Sequence, residues 1–227
     1  MSDKEIILAR IREALAVPSP RTEPHGKIVP NLNAPQDYPA RRWLPSPGAT
    51  FEDHLSAFQK HAADLKAEVR LLAAVEELPD AVRQLRAQDA WTKVGTHQGQ
   101  LTDAVCQALG VTVCRTDRPY AVRDLESCDA GITECDALVA QTGSVLVTNR
   151  SAGGRALSVL PPHHVVLARR SQLVADLPAA FDLLQKLYAG NFPSFISFIT
   201  GPSRTGDIER ILVLGAHGPK KLTIFIV

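Results

Sequence analysis

The segment GPSRTGDIE, residues 201–209, concentrates groups that can bind a small anion. It follows an apolar run, FISFIT, and combines hydroxyl donors, a guanidinium and a predicted helix start, whose free N–H groups suit a carboxylate or phosphate. We expect it to form a loop at the carboxyl end of a parallel strand, where open α/β sheets bind ligands. The candidate ligand-binding residues here are Gly201, Pro202, Ser203, Arg204, Thr205 and Asp207.

A second interpretation of the same loop stays open. Asp207 and Glu209 would lie in the first turn of the predicted helix 207–212, where carboxylates complement the helix dipole. Thr205 would then be the N-cap, a stabilising role that requires no ligand.

A second polar stretch supplies three more candidate ligand-binding residues, Thr142, Gly143 and Arg155. Glycine allows a backbone to approach a ligand closely, and arginine pairs with anions. The alternative is a hairpin turn at Thr142-Gly143 followed by a solvated loop. Neither glycine-rich stretch matches a phosphate-binding loop or a dinucleotide fingerprint.

The sequence does not disclose a catalytic triad, and the candidate acid/base residues are Asp207, Glu209 and His217. His163 and His164 are adjacent at the start of a predicted strand, so their side chains should point to opposite faces. The four cysteines, Cys106, Cys114, Cys128 and Cys135, form no Cys-x-x-Cys pair. We therefore expect reduced buried thiols, no metal site, and no cofactor bound by this chain.

The elements that must position these residues alternate between short apolar strands and helices. Strands joined by helices and apolar on both faces predict an α/β domain with a mostly parallel sheet flanked by helices. Predicted strands are Val69–Val75, Trp91–Gly95, Val111–Arg115, Ala130–Thr133, Ser144–Asn149, Val165–Arg169, Phe195–Thr200 and Leu222–Val227. Predicted helices are Leu78–Ala87, Leu101–Leu109, Pro178–Tyr188 and Asp207–Leu212, besides one that starts at Thr50.

The first 49 residues differ in composition from the remainder. An amphipathic helix is predicted within residues 1–17, and prolines crowd the stretch between Pro18 and Pro47, which predicts an extended linker. We therefore divide the chain into an arm, residues 1–49, and an α/β domain, residues 50–227. The helix has little of its own to pack on, so we expect it to dock on another surface, such as another subunit.

The charge and hydropathy of the chain limit the classes of binding partner that we expect. Lys and Arg total 25 against 24 Asp and Glu, which gives no electrostatic reason to expect nucleic acid or an anionic membrane surface. The apolar runs fall short of the roughly 20 residues of a membrane-spanning helix, and the N-terminus does not have the pattern of a signal peptide. We expect a cytoplasmic protein without membrane insertion; a homo-oligomer is compatible with the sequence.

Three segments together resemble the lactate-utilisation (LUD) domain family: CDALVAQTGSVLV, GGRALSVLPPHHVVL and ITGPSRTGDIERILVLGAHGPKKL. The resemblance covers about residues 50–227. It implies the fold shared by ribose-5-phosphate isomerase, glucosamine-6-phosphate deaminase and the CoA transferases.

The resemblance also implies a role in bacterial oxidation of L-lactate to pyruvate, as a non-redox subunit or accessory protein that works with iron–sulfur proteins. The clusters would belong to those partners, and this chain would bind them and a small carboxylate or phosphate. Relatives commonly carry an acidic residue where this chain has Gln141, and a neutral amide cannot act as a base or a carboxylate nucleophile. The alternatives are a stand-alone isomerase-like or CoA-transferase-like enzyme, or a metabolite sensor on the same fold.

Overall fold

A computed structural model describes residues 46–205, 213–214 and 218–227, together with Leu8, Ala9 and Arg12, which are helical. The chain divides into two compact units, Met1–Leu44 and Pro45–Val227. The predictions for Asp207, Glu209, His217 and the helix 207–212 lie outside the described residues, as does most of the predicted N-terminal arm.

The second unit alternates helices with short strands. Its helices are α1 (Phe51–Asp64), α2 (Leu78–Gln88), α3 (Gln100–Leu109), α4 (Val122–Glu126) and α5 (Leu177–Tyr188), with 3₁₀ turns at Val75–Glu77 and Arg170–Gln172. Its strands are β1 (Glu68–Leu71), β2 (Lys93–Thr96), β3 (Thr112–Arg115), β4 (Ala130–Glu134), β5 (Ala137–Val139), β6 (Ser144–Thr148), β7 (His163–Ala168), β8 (Leu173–Val174), β9 (Ile196–Ile199), β10 (Arg204–Thr205), β11 (Val213–Leu214) and β12 (Lys221–Ile226).

Six strands form a parallel sheet in the order β1-β12-β7-β4-β2-β3. The central strand β7 is buried along its whole length, and β12 is buried from its second residue. Strands buried on both faces require cover on both sides, which explains the continuous apolar runs in the sequence.

A smaller mixed sheet has the order β8-β5-β6-β9. Its strands β5 and β6 form an antiparallel hairpin, and β9 pairs antiparallel with β6 at the edge. Strands β10 and β11 form a separate antiparallel pair of two residues each.

Apolar side chains bury the parallel sheet on both faces. On one face, α2 and α3 pack through Leu78, Val82 and Val105. On the other, α1 and the mixed sheet pack through residues such as Phe58 and Val145. Helix α5 covers the outer face of the mixed sheet. Across the described residues, every helix is too short or too polar to cross a lipid bilayer.

Helix α1 has well-defined caps at both ends. Thr50 is the N-cap, and it shares a reciprocal capping box with Asp53. At the other end, Lys66 N–H donates to Ala63 O and Ala67 N–H donates to Ala62 O, both at 2.9 Å, which is a Schellman motif. Lys66 occupies the left-handed position of that motif, with φ +69°, where glycine is the usual residue.

The predicted α/β class with a parallel sheet is confirmed. Each of the eight predicted strands coincides with an observed strand, and the helices predicted from Thr50, Leu78, Leu101 and Pro178 are present. Prediction missed the short elements α4, β5, β8, β10 and β11, because two to five residues are too few to show a periodicity.

Candidate functional site

A cavity of about 220 Å³ lies along the edge strand β9. Its walls combine aromatic and aliphatic groups with hydroxyls, and Gly201 and Ser203 of the predicted ligand loop line one end. The remaining wall residues are Ser158, Val159, Phe195, Ser197, Phe198, Ile199, Thr200, Gly218 and Pro219. The described lining residues carry no charged side chain.

Ser158 is the most unusual group in this wall. It is 3% exposed, and its Oγ has no hydrogen-bond partner among the described residues. Buried hydroxyls are nearly always paired, so an unpaired one lining a cavity is a candidate for contact with a ligand or an ordered water. Sequence reasoning missed Ser158 because a serine within an apolar run, ALSVL, has no motif around it.

The predicted loop residues are held by backbone contacts. Gly201 has φ +86°, and a Cβ there would lie 2.7 Å from Leu65 O at the end of α1. Ser203 N–H donates to Pro219 O at 2.9 Å, and Pro202 is buried. Arg204 is exposed and does not line the cavity.

The position of the loop differs from the prediction. The loop follows β9, which runs antiparallel to β6 in the mixed sheet, and so does not lie at the carboxyl end of a parallel strand. The sequence FISFIT does not reveal whether its strand is buried in a parallel sheet or half-exposed at a sheet edge, because strands of both kinds contain consecutive apolar residues. Thr205 lies in β10, paired with Val213 of β11.

Thr142 and Gly143 form the turn between β5 and β6, as the hairpin interpretation predicts. Gly143 has φ +65°, and a Cβ there would lie 2.6 Å from Ala62 N of α1. Ser144 Oγ and Thr200 Oγ1 are 2.8 Å apart, so this turn lies beside the loop that begins at Gly201. The Thr142 hydroxyl is buried and has no hydrogen-bond partner in the described part of the chain.

The third predicted ligand residue of this stretch, Arg155, lies apart from Thr142 and Gly143. Its exposed guanidinium donates from Nη2 to Ser194 O at 3.0 Å, just before β9 begins. The structure therefore brings Thr142, Gly143 and Gly201 to the end of β9 near α1, and places Arg155 near the start of that strand.

At the carboxyl edge of the parallel sheet, where such folds usually bind ligands, a carboxylate of the protein itself lies at the N-terminus of α3. Glu134, at the end of β4, accepts hydrogen bonds at Oε1 from Leu101 N–H at 2.8 Å and Thr102 N–H at 3.3 Å. A Cβ at Gly99 would lie 2.3 Å from this oxygen, so glycine leaves the space for the carboxylate. Glu134 thus occupies the anion position at the N-terminus of α3.

His97 forms further hydrogen bonds beside Glu134 at the carboxyl edge of the sheet. Its Nδ1–H donates to Gln98 O at 2.9 Å, and its Nε2 accepts from Glu134 N–H at 3.2 Å. Burial lowers the pKa of His97, which favours the neutral imidazole that this arrangement requires. Both ring nitrogens are therefore used within the fold.

Removing the Glu134 carboxylate tests this capping role. We expect Glu134→Ala to lower the free energy of unfolding by about 2 kcal/mol, because two buried N–H groups lose a charged acceptor. Urea denaturation at pH 7 measures the loss. Glu134→Gln keeps one acceptor oxygen and should lose less; equal stability of wild type and Glu134→Ala would show that water replaces the carboxylate.

A polar cluster supports the mixed sheet from within. Asp136 accepts hydrogen bonds from Ser151 Oγ and Tyr188 OH, both at 2.5 Å. Burial and the hydrogen bond to Asp136 raise the pKa of the Tyr188 phenol, and Arg150 lies 5.1 Å above its ring. Each member has its partner, so this cluster joins β5, the loop after β6 and α5.

The cysteines are free thiols, and three of the four are buried. Burial raises the pKa of Cys128 to about 12 and also raises the pKa of Cys106 and Cys135. These thiols stay protonated near neutral pH, whereas metal ligation requires thiolate. Within the described residues, no group of three or more His, Cys, Asp or Glu side chains is arranged to hold a metal ion.

The two adjacent histidines face opposite sides of the parallel sheet, as predicted. His163 Nδ1 lies 3.0 Å from Asp89 Oδ2 and its Nε2 lies 2.9 Å from Thr223 Oγ1. His164 is fully enclosed, with Nε2 2.9 Å from Thr133 Oγ1 and no partner for Nδ1 among the described residues.

Comparison with known proteins identifies relatives of this chain. The model of the LUD domain matches residues 55–227. Lactate utilization protein C of Anoxybacillus flavithermus is 37% identical over 180 residues, which cover 66% of this chain and 80% of that protein. The protein of the same name from Shouchella clausii is 37% identical over 112 residues, 49% of either chain. The match therefore spans only about half of that relative.

A solved structure shares the fold. A DUF162 family protein from Deinococcus radiodurans superposes with a TM-score of 0.61 over 79% of this chain and 99% of that chain, at 21% sequence identity. With the family match over most of the second unit, these comparisons show that the chain belongs to the LUD domain family.

Proposed function

We propose that this protein serves in L-lactate utilization as a non-redox subunit that works with separate iron–sulfur proteins. The proposal rests on the LUD domain over residues 55–227 and on relatives named lactate utilization protein C. In this role the chain supplies binding surface, and its partners carry the clusters that transfer electrons from lactate.

The burial of the cysteine thiols supports the proposal that the iron–sulfur clusters belong to the partner proteins. Cluster assembly requires accessible thiolates, whereas Cys128 and Cys135 are buried and their pKa values are raised by burial. Cys106 is half-buried, and burial raises its pKa as well.

The cavity beside β9 is the proposed ligand site of this subunit. Its hydroxyl groups and apolar walls suit a small organic molecule, and the unpaired Ser158 Oγ is buried within this wall. The predicted loop residues Gly201 and Ser203 line its end, which connects the sequence prediction to this cavity.

Growth on L-lactate tests both parts of the proposal. Ser197 lines the cavity, whereas its neighbour Ile196 does not line it and is 38% exposed. In a strain that lacks the gene, we expect wild type and Ile196→Trp to restore growth on L-lactate as sole carbon source. Ser197→Trp fills the cavity and should restore growth at a rate reduced at least severalfold, with normal growth on glucose.

Purification of the tagged protein from lactate-grown cells completes the test. We expect iron-containing proteins to co-purify with wild type, measured by iron content and visible absorption. Normal growth of the deletion strain on L-lactate would refute the role itself. Full rescue by Ser197→Trp would refute only the ligand site.

A further inference from the structure

Two adjoining hollows of about 240 and 250 Å³ open at the amino-terminal edge of the parallel sheet, where β1, β7 and β12 begin. They share four lining residues, Asp89, His163, Lys220 and Lys221, so we treat them as one cleft, the amino-edge cleft. It is separate from the cavity beside β9, since the two have no lining residue in common.

Positively charged side chains outnumber carboxylates in the amino-edge cleft. The first hollow is lined by four cations, Lys66, Arg70, Lys220 and Lys221, and by two carboxylates, Glu68 and Asp89, which gives a net +2 with histidine neutral. The whole chain has a formal charge of only +1. A concave surface with this excess attracts anions.

Ion pairing within the cleft leaves two ammonium groups uncommitted. Arg70 pairs with Glu68 at 2.7 Å, and Lys221 pairs with Asp89 at 2.8 Å. Lys66 and Lys220 have no carboxylate partner among the described residues. Asp129, which lines the second hollow, accepts hydrogen bonds at Oδ2 from the backbone N–H groups of Thr92 and Lys93.

The base of the cleft is a fixed polar chain. His163 Nδ1 lies 3.0 Å from Asp89 Oδ2 and its Nε2 lies 2.9 Å from Thr223 Oγ1, which donates to Glu68 Oε2 at 3.4 Å. Trp91 packs edge-on against the imidazole, with ring centroids 5.3 Å apart. The groups of the floor therefore contact one another, while Lys66 and Lys220 are exposed.

The backbone at Lys66 is a further observation. Lys66 lies in the left-handed conformation at the end of α1, where glycine would avoid the steric cost of a Cβ. Strained conformations of this kind concentrate at functional sites. Lys66 lines the first hollow of the cleft.

We propose that the amino-edge cleft is a second ligand site, which binds a phosphate group between Lys66 and Lys220. A phosphate group carries about −1.5 to −2 charge near neutral pH, which complements the net +2 of the first hollow, where both lysines lie. Each of the two hollows, at about 240 and 250 Å³, is smaller than the roughly 300–1,000 Å³ of a drug-sized pocket, so the hollow that holds both lysines suits inorganic phosphate or a small phosphorylated molecule. This site is independent of the proposed role in lactate utilization.

Calorimetry on the full chain, in phosphate-free buffer at constant ionic strength, tests the site. We expect inorganic phosphate to bind saturably to wild type, and the double variant Lys66→Gly with Lys220→Gln to bind about tenfold more weakly. Glycine relieves the left-handed strain at residue 66, so the thermal unfolding midpoint of the double variant should match or exceed that of wild type. Lost binding thus cannot be attributed to unfolding.

A control of equal charge change is Lys60→Gln with Lys186→Gln, because both lysines are exposed on helices and neither lines the cleft. Binding of phosphate to the two double variants within a factor of about two would overturn the proposal, as would no saturable binding to wild type. Tighter binding of glycerol 3-phosphate than of inorganic phosphate would assign the site to phosphorylated metabolites; the reverse would assign it to free phosphate.

Discussion

Gly143→Ala is expected to lower the free energy of unfolding by about 2–4 kcal/mol, measured by urea denaturation at pH 7. Gly143 has φ +65°, a conformation that costs an L-residue about 1–2 kcal/mol, partly offset by the lower entropy of the unfolded alanine chain. The new Cβ would also lie 2.6 Å from Ala62 N and 2.8 Å from His61 C. Both are backbone atoms of α1, so the helix must shift rather than a side chain rotate.

Gly110→Ala is the matched control for this substitution. Gly110 has φ +62°, yet a Cβ there would meet nothing within 4 Å. It should therefore lose only the conformational part, about 1 kcal/mol. Equal losses in the two variants would show that α1 does not press on the β5–β6 turn, and would remove the packing argument for glycine beside the predicted ligand loop.

The second large expected effect is a loss of folding stability at acid pH. We assign a major part of this loss to His164. Burial lowers the pKa of His164 from 6.5 to about 3 in the folded protein. Between these pH values the unfolded chain binds a proton that the folded chain excludes. The stabilisation is therefore complete above pH 6.5 and falls as the pH is lowered, by about 1.4 kcal/mol per pH unit.

From pH 6.5 to pH 4.5 this single group should remove roughly 2–3 kcal/mol of stability. Urea denaturation across that range measures the slope. His164→Leu removes the titrating ring, so its stability should fall less steeply with acid than that of wild type. His97 and His163, whose pKa values burial also lowers, contribute in the same direction and keep some slope in the variant.

Thr133→Val separates the titration of His164 from its hydrogen bond. The substitution preserves shape and leaves the imidazole in place, but it removes the hydroxyl 2.9 Å from Nε2. We expect lower stability at every pH with the wild-type slope. If His164→Leu also kept the wild-type slope, the acid lability would belong to other groups.

The main helices and strands of this fold could be predicted from the sequence because they depend on local patterns of apolar residues. The apolar runs that became β4, β6, β7 and β12 are continuous since these strands are buried almost throughout. Strand order and direction depend on long-range pairing, so the position of β9 in a second, mixed sheet could not be predicted from its composition.

The candidate sites were less predictable than the fold. Gly201 and Ser203 line the cavity beside β9 and stay predicted ligand residues, whereas the unpaired Ser158 hydroxyl in the same wall had no signal in the sequence. The amino-edge cleft joins Lys66, His163 and Lys220 from three distant segments. Single lysines without a motif become a site only when the fold brings them together, and their pairing partners decide which charges remain free.

The strand order has a consequence for biosynthesis. Among the described strands, β1 pairs with β12 alone, and Thr223 contacts Glu68 from 155 positions further along the chain. At the roughly 5–20 residues per second of a ribosome, about 8–30 s separate the emergence of these two strands. During that interval the nascent chain lacks an interior strand of its sheet, so chaperones that shield its apolar surface should matter more than for a domain assembled from sequential neighbours.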